Sequence, residues 1–181
     1  MFEFFDKIRN LADEAAVSQL PNVSAKAFFR VILQPKKTKK GFSMVYITRI
    51  ERFNAAHKLW VDDWTEEQNR AVFGKCSNKN WHGHNYTLHV TIKGHPDPVT
   101  GFIMDVKKLS AVIKEHATDQ LDHSNLNLDV DFIPKGTQPT TENLVLLIWQ
   151  RLAKALEPYP CQLHAVKLWE TETIYAEYYG E

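Results

Sequence analysis

The chain has 181 residues, and 22 Lys plus Arg are balanced by 22 Asp plus Glu. That length suits one domain of ordinary size with an extension, and a zero net charge gives no support for nucleic acid as the main partner. Two cysteines, Cys76 and Cys161, make no disulfide framework and point to a reduced, cytoplasmic setting, while no apolar run approaches the ~20 residues of a membrane span.

Residues 2–17 read as a helix, with Phe5, Ile8, Leu11 and Ala15 at helical spacing. Glu3, Asp6, Asp13 and Glu14 argue against a secretory or mitochondrial leader there. Pro21 breaks the pattern. A short apolar run from Ala27 to Leu33 ends at Pro35, and the lysines of 36–40 with Gly41 read as a solvated linker. The domain boundary is therefore placed after residue 41, leaving 1–41 as an extension and 42–181 as the folded domain.

Within the domain, residues 43–57 read as a long strand. Asp62 to Phe73 reads as a charged short helix or turn. Residues 82–94 form a second strand in which Tyr86, Leu88, Val90 and Ile92 alternate with polar neighbours. A turn at 95–101 leads to a helix over 105–120, with Val106, Leu109, Val112, Ile113 and Ala117 on one side. Residues 121–133 read as irregular. A second helix, capped by Thr140 or Thr141, runs to about Leu156. Two last strands fit 162–170 and 173–179. The order β-β-α-α-β-β implies an α+β fold, an antiparallel four-stranded sheet with two helices on one face.

Chemistry-bearing residues gather around Cys76 to Tyr86. His82 and His84 are two apart in an extended segment, so both imidazoles aim at one face, the face of the buried apolar set. His57 ends the first strand. Three imidazoles without a fourth protein ligand describe an open zinc site, completed by water or substrate; chance pairing and ordinary packing are the other reading. Cys76 lies between Lys75 and Lys79, cations that favour a thiolate able to act as base or nucleophile, although a buried inert cysteine stays open. In Asp122-His123 a carboxylate can fix the imidazole's tautomer for proton transfer, or the pair can be a plain turn. Glu170, at a strand end, can accept two hydrogen bonds from a guanidine-like edge, or be a solvated hairpin acid. Thr140, Thr141 and Glu142 open a helix and suit a polar ligand or simple capping.

In this order, Phe53-Asn54-Ala55-Ala56-His57, Phe73-Gly74-Lys75-Cys76, His82-Gly83-His84-Asn85-Tyr86, Leu121-Asp122-His123, Thr140-Thr141-Glu142-Asn143 and Glu170-Thr171 resemble the 6-pyruvoyltetrahydropterin synthase family over about residues 44–181. The resemblance implies a tunnelling fold, in which three subunits' sheets join into a trimer barrel and two trimers stack into a homohexamer. It implies Zn2+ on His57, His82 and His84, Cys76 as the base, Asp122 and His123 as the proton relay, and Glu170 as the pterin anchor. Thr140, Thr141 and Glu142 match residues lining the pterin pocket. The implied reaction converts 7,8-dihydroneopterin triphosphate to 6-pyruvoyltetrahydropterin with loss of triphosphate, and Mg2+ accompanies the substrate. Lys58, Arg70, Lys75 and Lys79 are candidates to meet the triphosphate. A relative, 6-carboxytetrahydropterin synthase, cleaves the side chain instead and has a shorter loop; here five residues, Ser77 to Trp81, separate Cys76 from His82. A non-catalytic zinc- or pterin-binding assembly protein is the third reading. Trp81 stands where the family often has glycine.

Overall fold

The computed structural model describes residues 43–181. The expected helix over 2–17, the apolar run 27–33 and the linker lie outside the described residues. Strand β1 (Val45–His57) and strand β2 (His82–Gly94) run antiparallel along their whole length. Their alternation sorts side chains to two faces. Phe53, Ala55 and His57 of β1 turn to the same buried side as Tyr86, Leu88, Val90 and Ile92 of β2. Phe53 and Tyr86 are register partners and stack with ring centroids 4.8 Å apart. The other face carries Tyr46 and Ile50, both exposed.

Strand β3 (Ser124–Asn125) pairs parallel with β1, and strands β4 (Gln162–Trp169) and β5 (Tyr175–Tyr178) continue the sheet antiparallel beyond β2. The sheet therefore has five strands in the order β3-β1-β2-β4-β5 and is mixed. This corrects the four-stranded antiparallel sheet expected from the sequence. A two-residue strand is too short to show a period of two, so β3 leaves no alternation to read. It is fixed by tertiary bonds instead: the His123 amide donates to the Asn54 carbonyl at 2.6 Å and the Leu126 amide to the Ala56 carbonyl at 2.9 Å.

Helix α1 (Glu66–Phe73) sits between β1 and β2, inside the stretch Asp62 to Phe73 expected as a short helix or turn. Thr65 and Gln68 close it with a reciprocal capping box. Helix α2 (Val106–Ile113) starts at Asp105, whose carboxylate accepts from the Lys107 amide at 2.8 Å. The expected helix over 105–120 is not one α-helix. A π turn (Lys114–Thr118) intervenes before the short helix α3 (Asp119–Leu121), and the Arg151 Nε donates to the His116 carbonyl within that turn at 2.7 Å. Val106, expected on the apolar side, is exposed, whereas Leu109, Val112, Ile113 and Ala117 are buried. Helix α4 (Thr141–Leu156) is capped by Thr140, whose Oγ1 accepts from the Asn143 amide at 3.3 Å.

The helices lay their apolar sides on one face of the sheet. Leu109, Ile113, Leu144, Ile148 and Leu152 form one core with Leu88, Val90, Val166 and Leu168. No helix among the described residues is long and apolar enough to cross a membrane. Leu88 has no exposed surface, so Leu88→Ala is expected to cost about 2–5 kcal/mol in a urea unfolding experiment. Val99→Ala, at a position 91% exposed, should stay within about 0.5 kcal/mol of the parent.

Candidate active site

The register of β1 and β2 builds the centre of the site. His57 is the direct partner of His82, and Ala55 of His84, so three imidazoles meet at one end of the buried face. Ring centroids lie 4.5 Å (His57–His82), 5.1 Å (His57–His84) and 4.9 Å (His82–His84) apart. One donor atom from each ring falls within 4.8 Å of the other two. Gly83 lets the strands approach here, because a Cβ on it would stand 3.1 Å from the Ala55 carbonyl oxygen.

The protonation states are set by neighbours. His57 Nδ1 lies 2.8 Å from the Pro139 carbonyl, which can only accept. Nδ1 thus carries the proton and Nε2 keeps a bare lone pair. That Nε2 is buried without a hydrogen-bond partner, as are both ring nitrogens of His82. Burial pushes His57 down to about 4, against the Pro139 bond that raises it, and burial followed by the charge of His84 lowers His82. Both rings are neutral near pH 7, the state in which imidazole ligates a metal. Buried, neutral, unpartnered imidazole nitrogens converging on one point fit zinc.

Glu170 faces the same cluster from the end of β4. Its Oε1 lies 3.6 Å from His57 Nε2 and 3.7 Å from His84 Nε2, beyond direct hydrogen bonding. Tyr86, from β2, brings a buried hydroxyl to the same cluster; burial, then the negative charge of Glu170, raises its pKa strongly. Cys76 sits in the 3₁₀ turn Gly74–Ser77, where its carbonyl accepts from the Leu59 amide at 2.9 Å. Burial and then Glu170 push its thiol up. The thiolate-favouring effect expected of Lys75 and Lys79 is thus outweighed, since both lysines are exposed and Glu170 is not.

A cavity of about 750 Å³ is lined by Phe53, His84, Tyr86, Glu170 and Thr171. A second, of about 520 Å³, shares Asn54, Gly83 and His84 and adds His123. His123 has a left-handed φ of 57°, and its Nδ1 lies 2.9 Å from Asp122 Oδ2. The other oxygen of Asp122 accepts from the Asn54 amide at 2.7 Å, and this bond, then His123, lowers the Asp122 pKa. The pair is thereby fixed to β1, with the His123 side chain 79% exposed. No contact among the described residues joins it to Cys76. Thr140, Thr141 and Glu142 line neither cavity: Thr140 caps α4 and Thr141 is buried. They adjoin the site through Pro139.

Sequence reasoning missed the residues that hold this arrangement. Gln138 clasps the backbone of Trp60, accepting from its amide at 3.0 Å and donating to its carbonyl at 2.6 Å, and so seats Pro139 against His57. No local pattern marks a residue whose work is done across 78 positions of sequence. Tyr86 was legible as core by parity; the same parity, two residues past His84, also places its hydroxyl on the histidine face. Trp81 adopts a φ of 65°, which costs a bulky residue on the order of 1–3 kcal/mol.

Fold and centre together define an α+β protein with an open three-histidine site beside a half-buried carboxylate and a thiol. Residues 46–181 match the family model described as 6-pyruvoyl tetrahydropterin synthase, and the chain belongs to that family. It is 42% identical over 139 residues to the 6-pyruvoyl tetrahydrobiopterin synthase of Poecilia reticulata, covering 75% of this chain and 90% of that one. The structure of the Caenorhabditis elegans 6-pyruvoyl tetrahydropterin synthase superposes with a TM-score of 0.71 at 34% identity, over 77% of this chain and 98% of that one. A more distant relative, the dihydroneopterin monophosphate aldolase of Pyrococcus furiosus, is 34% identical over 118 residues, 65% of this chain and 82% of its own length.

Gly83→Ala is expected to push β1 and β2 apart at the histidines, because the new methyl meets backbone rather than a movable side chain. It should lower the midpoint of thermal unfolding and the metal content after purification in zinc. A variant with full metal content and parental stability would show that the close approach is dispensable.

Proposed function

We propose that this chain is a zinc-dependent lyase that converts 7,8-dihydroneopterin triphosphate to 6-pyruvoyltetrahydropterin and inorganic triphosphate. The observation that carries the reading is the convergence of His57, His82 and His84, with bare buried nitrogens, beside Glu170 in a synthase-family chain. These three histidines would hold the zinc, which supplies Lewis-acid polarisation of the substrate's side-chain oxygens.

The chain's own residues divide the remaining work. Glu170 accepts the N–H donors of the pterin edge, a two-point contact that orients the ring. Thr140, Thr141 and Glu142 are proposed to border that ring from the start of α4. Cys76, as its thiolate, removes a side-chain proton as general base. Its pKa is raised by burial first and then by the Glu170 charge, so pterin N–H groups bound at Glu170 offset the second of these causes. Asp122 holds the His123 ring at Nδ1, leaving Nε2 to pass a proton to or from the substrate. The net change is loss of triphosphate with hydrogens redistributed within the substrate, so no external oxidant or reductant is consumed. Mg2+ is proposed to accompany the triphosphate. Assembly into a trimer barrel and a hexamer, in the cytoplasm, belongs to the same proposal, and light scattering on the purified protein tests the oligomer.

The aldolase relative supports a second reading, cleavage of the side chain with release of an aldehyde. Product analysis separates the two. Zinc-loaded protein given dihydroneopterin triphosphate and Mg2+ should release triphosphate and 6-pyruvoyltetrahydropterin; an aldehyde with a shortened pterin side chain would replace the proposal with the second reading. A pterin-binding, zinc-replete protein that yields neither product would leave a non-catalytic binder.

Cys76→Ala should lower kcat by about 10²–10⁴ while zinc stoichiometry stays at one per chain. Unchanged turnover would remove Cys76 from the role of base. His82→Ala should lose the metal, measured by atomic emission after gel filtration. Glu170→Ala should weaken pterin binding more than zinc binding in parallel titrations.

A further inference from the structure

Lys58 follows His57 and Trp81 precedes His82, so the two extend the β1–β2 register one step past the histidines. The Lys58 ammonium lies 4.8 Å from the Trp81 ring centroid and 5.1 Å from that of Trp60. It is held between two indoles. Its backbone is gripped on both sides by Asn127, which accepts from the Lys58 amide at 3.1 Å and donates to its carbonyl at 3.0 Å. Gln138 fixes Trp60 in the same two-sided way. Trp81 adopts its left-handed φ of 65° at this spot. Together with Lys135 and Asp62 these residues line a cavity of about 300 Å³, distinct from the two described above.

Two features give the cavity a ligand preference. Among the described residues, neither Lys58 nor Lys135 is ion-paired to a carboxylate. Indole faces position an ammonium group without cancelling its charge. The side-chain entropy of a long lysine is then spent before any ligand arrives. The other cations near the site lack this preparation. Arg70 lies 3.9 Å from Glu66 within α1, and Lys75 and Lys79 are exposed.

We propose that the Lys58–Trp60–Trp81 cavity, with Lys135, is the seat of the substrate's polyphosphate chain and of the triphosphate released. Asp62, the one carboxylate in the lining, faces the divalent cation that such a chain carries. The inference rests on the lyase reading for the identity of the anion. The cavity's lining begins one residue beyond two proposed zinc ligands, His57 and His82, where the β1–β2 ladder ends. Trp81 becomes a residue of anion binding through Lys58, which gives its unusual backbone conformation a function.

The test is calorimetric titration of the full-length protein at fixed ionic strength, once with inorganic tripolyphosphate and once with phosphate-free dihydroneopterin. Lys58→Met keeps an apolar stem between the indoles and removes the charge. It should raise the tripolyphosphate Kd on the order of tenfold and leave the dihydroneopterin Kd unchanged. Lys135→Met, on an exposed turn where folding is not at stake, should weaken tripolyphosphate in the same selective way. Tripolyphosphate affinity indifferent to both substitutions would overturn the inference, and so would equal loss of both ligands. If the parent protein forms no product yet binds tripolyphosphate through Lys58, the lyase reading fails and the anion site stands. If it forms product and the anion ignores Lys58 and Lys135, the reverse holds.

Discussion

The antiparallel register of β1 and β2 is the constraint on which the remainder depends. It pairs His57 with His82 and Phe53 with Tyr86. A slip of one residue would turn every side chain of one strand to the opposite face. His82, His84 and Tyr86 would leave the buried face together, and the core under the helices would lose Leu88, Val90 and Ile92 in the same event. Core packing and site assembly are therefore one selection. The apolar residues that make the sheet fold are what hold the polar centre in place.

That centre opposes stability. Three imidazole nitrogens are buried without hydrogen-bond partners among the described residues, and each unsatisfied buried polar group costs about 1–3 kcal/mol. Such groups persist only where the surroundings over-determine them. The surroundings here are specific: the full-length β1–β2 ladder, the Pro139 carbonyl on His57, and Gln138 clasping Trp60. A bound cation would turn several of these costs into ligand bonds, and metal binding would then be coupled to folding stability.

Legibility in the sequence followed the range of the interaction. The two long strands, the helix over 141–156 and the shared face of His82, His84 and Tyr86 were readable because each rests on a local period. Thr140 as a cap was readable for the same reason. The two-residue β3 was not, because it is made by bonds from His123 and Leu126 to β1 rather than by its own residues. Nor was the π turn, whose carbonyl is taken up by Arg151 from another helix. At the site, the meeting of His57, His82 and His84 on one face was legible. The supports of His57, and the direction of the Cys76 shift, were not, since Pro139, Gln138 and Glu170 reach them only through the fold.

The Cys76 shift constrains how the site can work. A thiol raised by burial and by Glu170 is mostly protonated near neutral pH, yet it is the stronger base once ionised. The carboxylate that adds to burial in suppressing the thiolate is the one proposed to bind the pterin edge. A ligand that donates hydrogen bonds to Glu170 draws its charge away from Cys76 and from the Tyr86 hydroxyl at once, because both feel the same carboxylate. In the proposed reaction, substrate binding and base activation would then be linked through one residue. A protonated thiol in the free protein is less open to oxidation, and under the proposed reaction the thiolate would form as substrate binds.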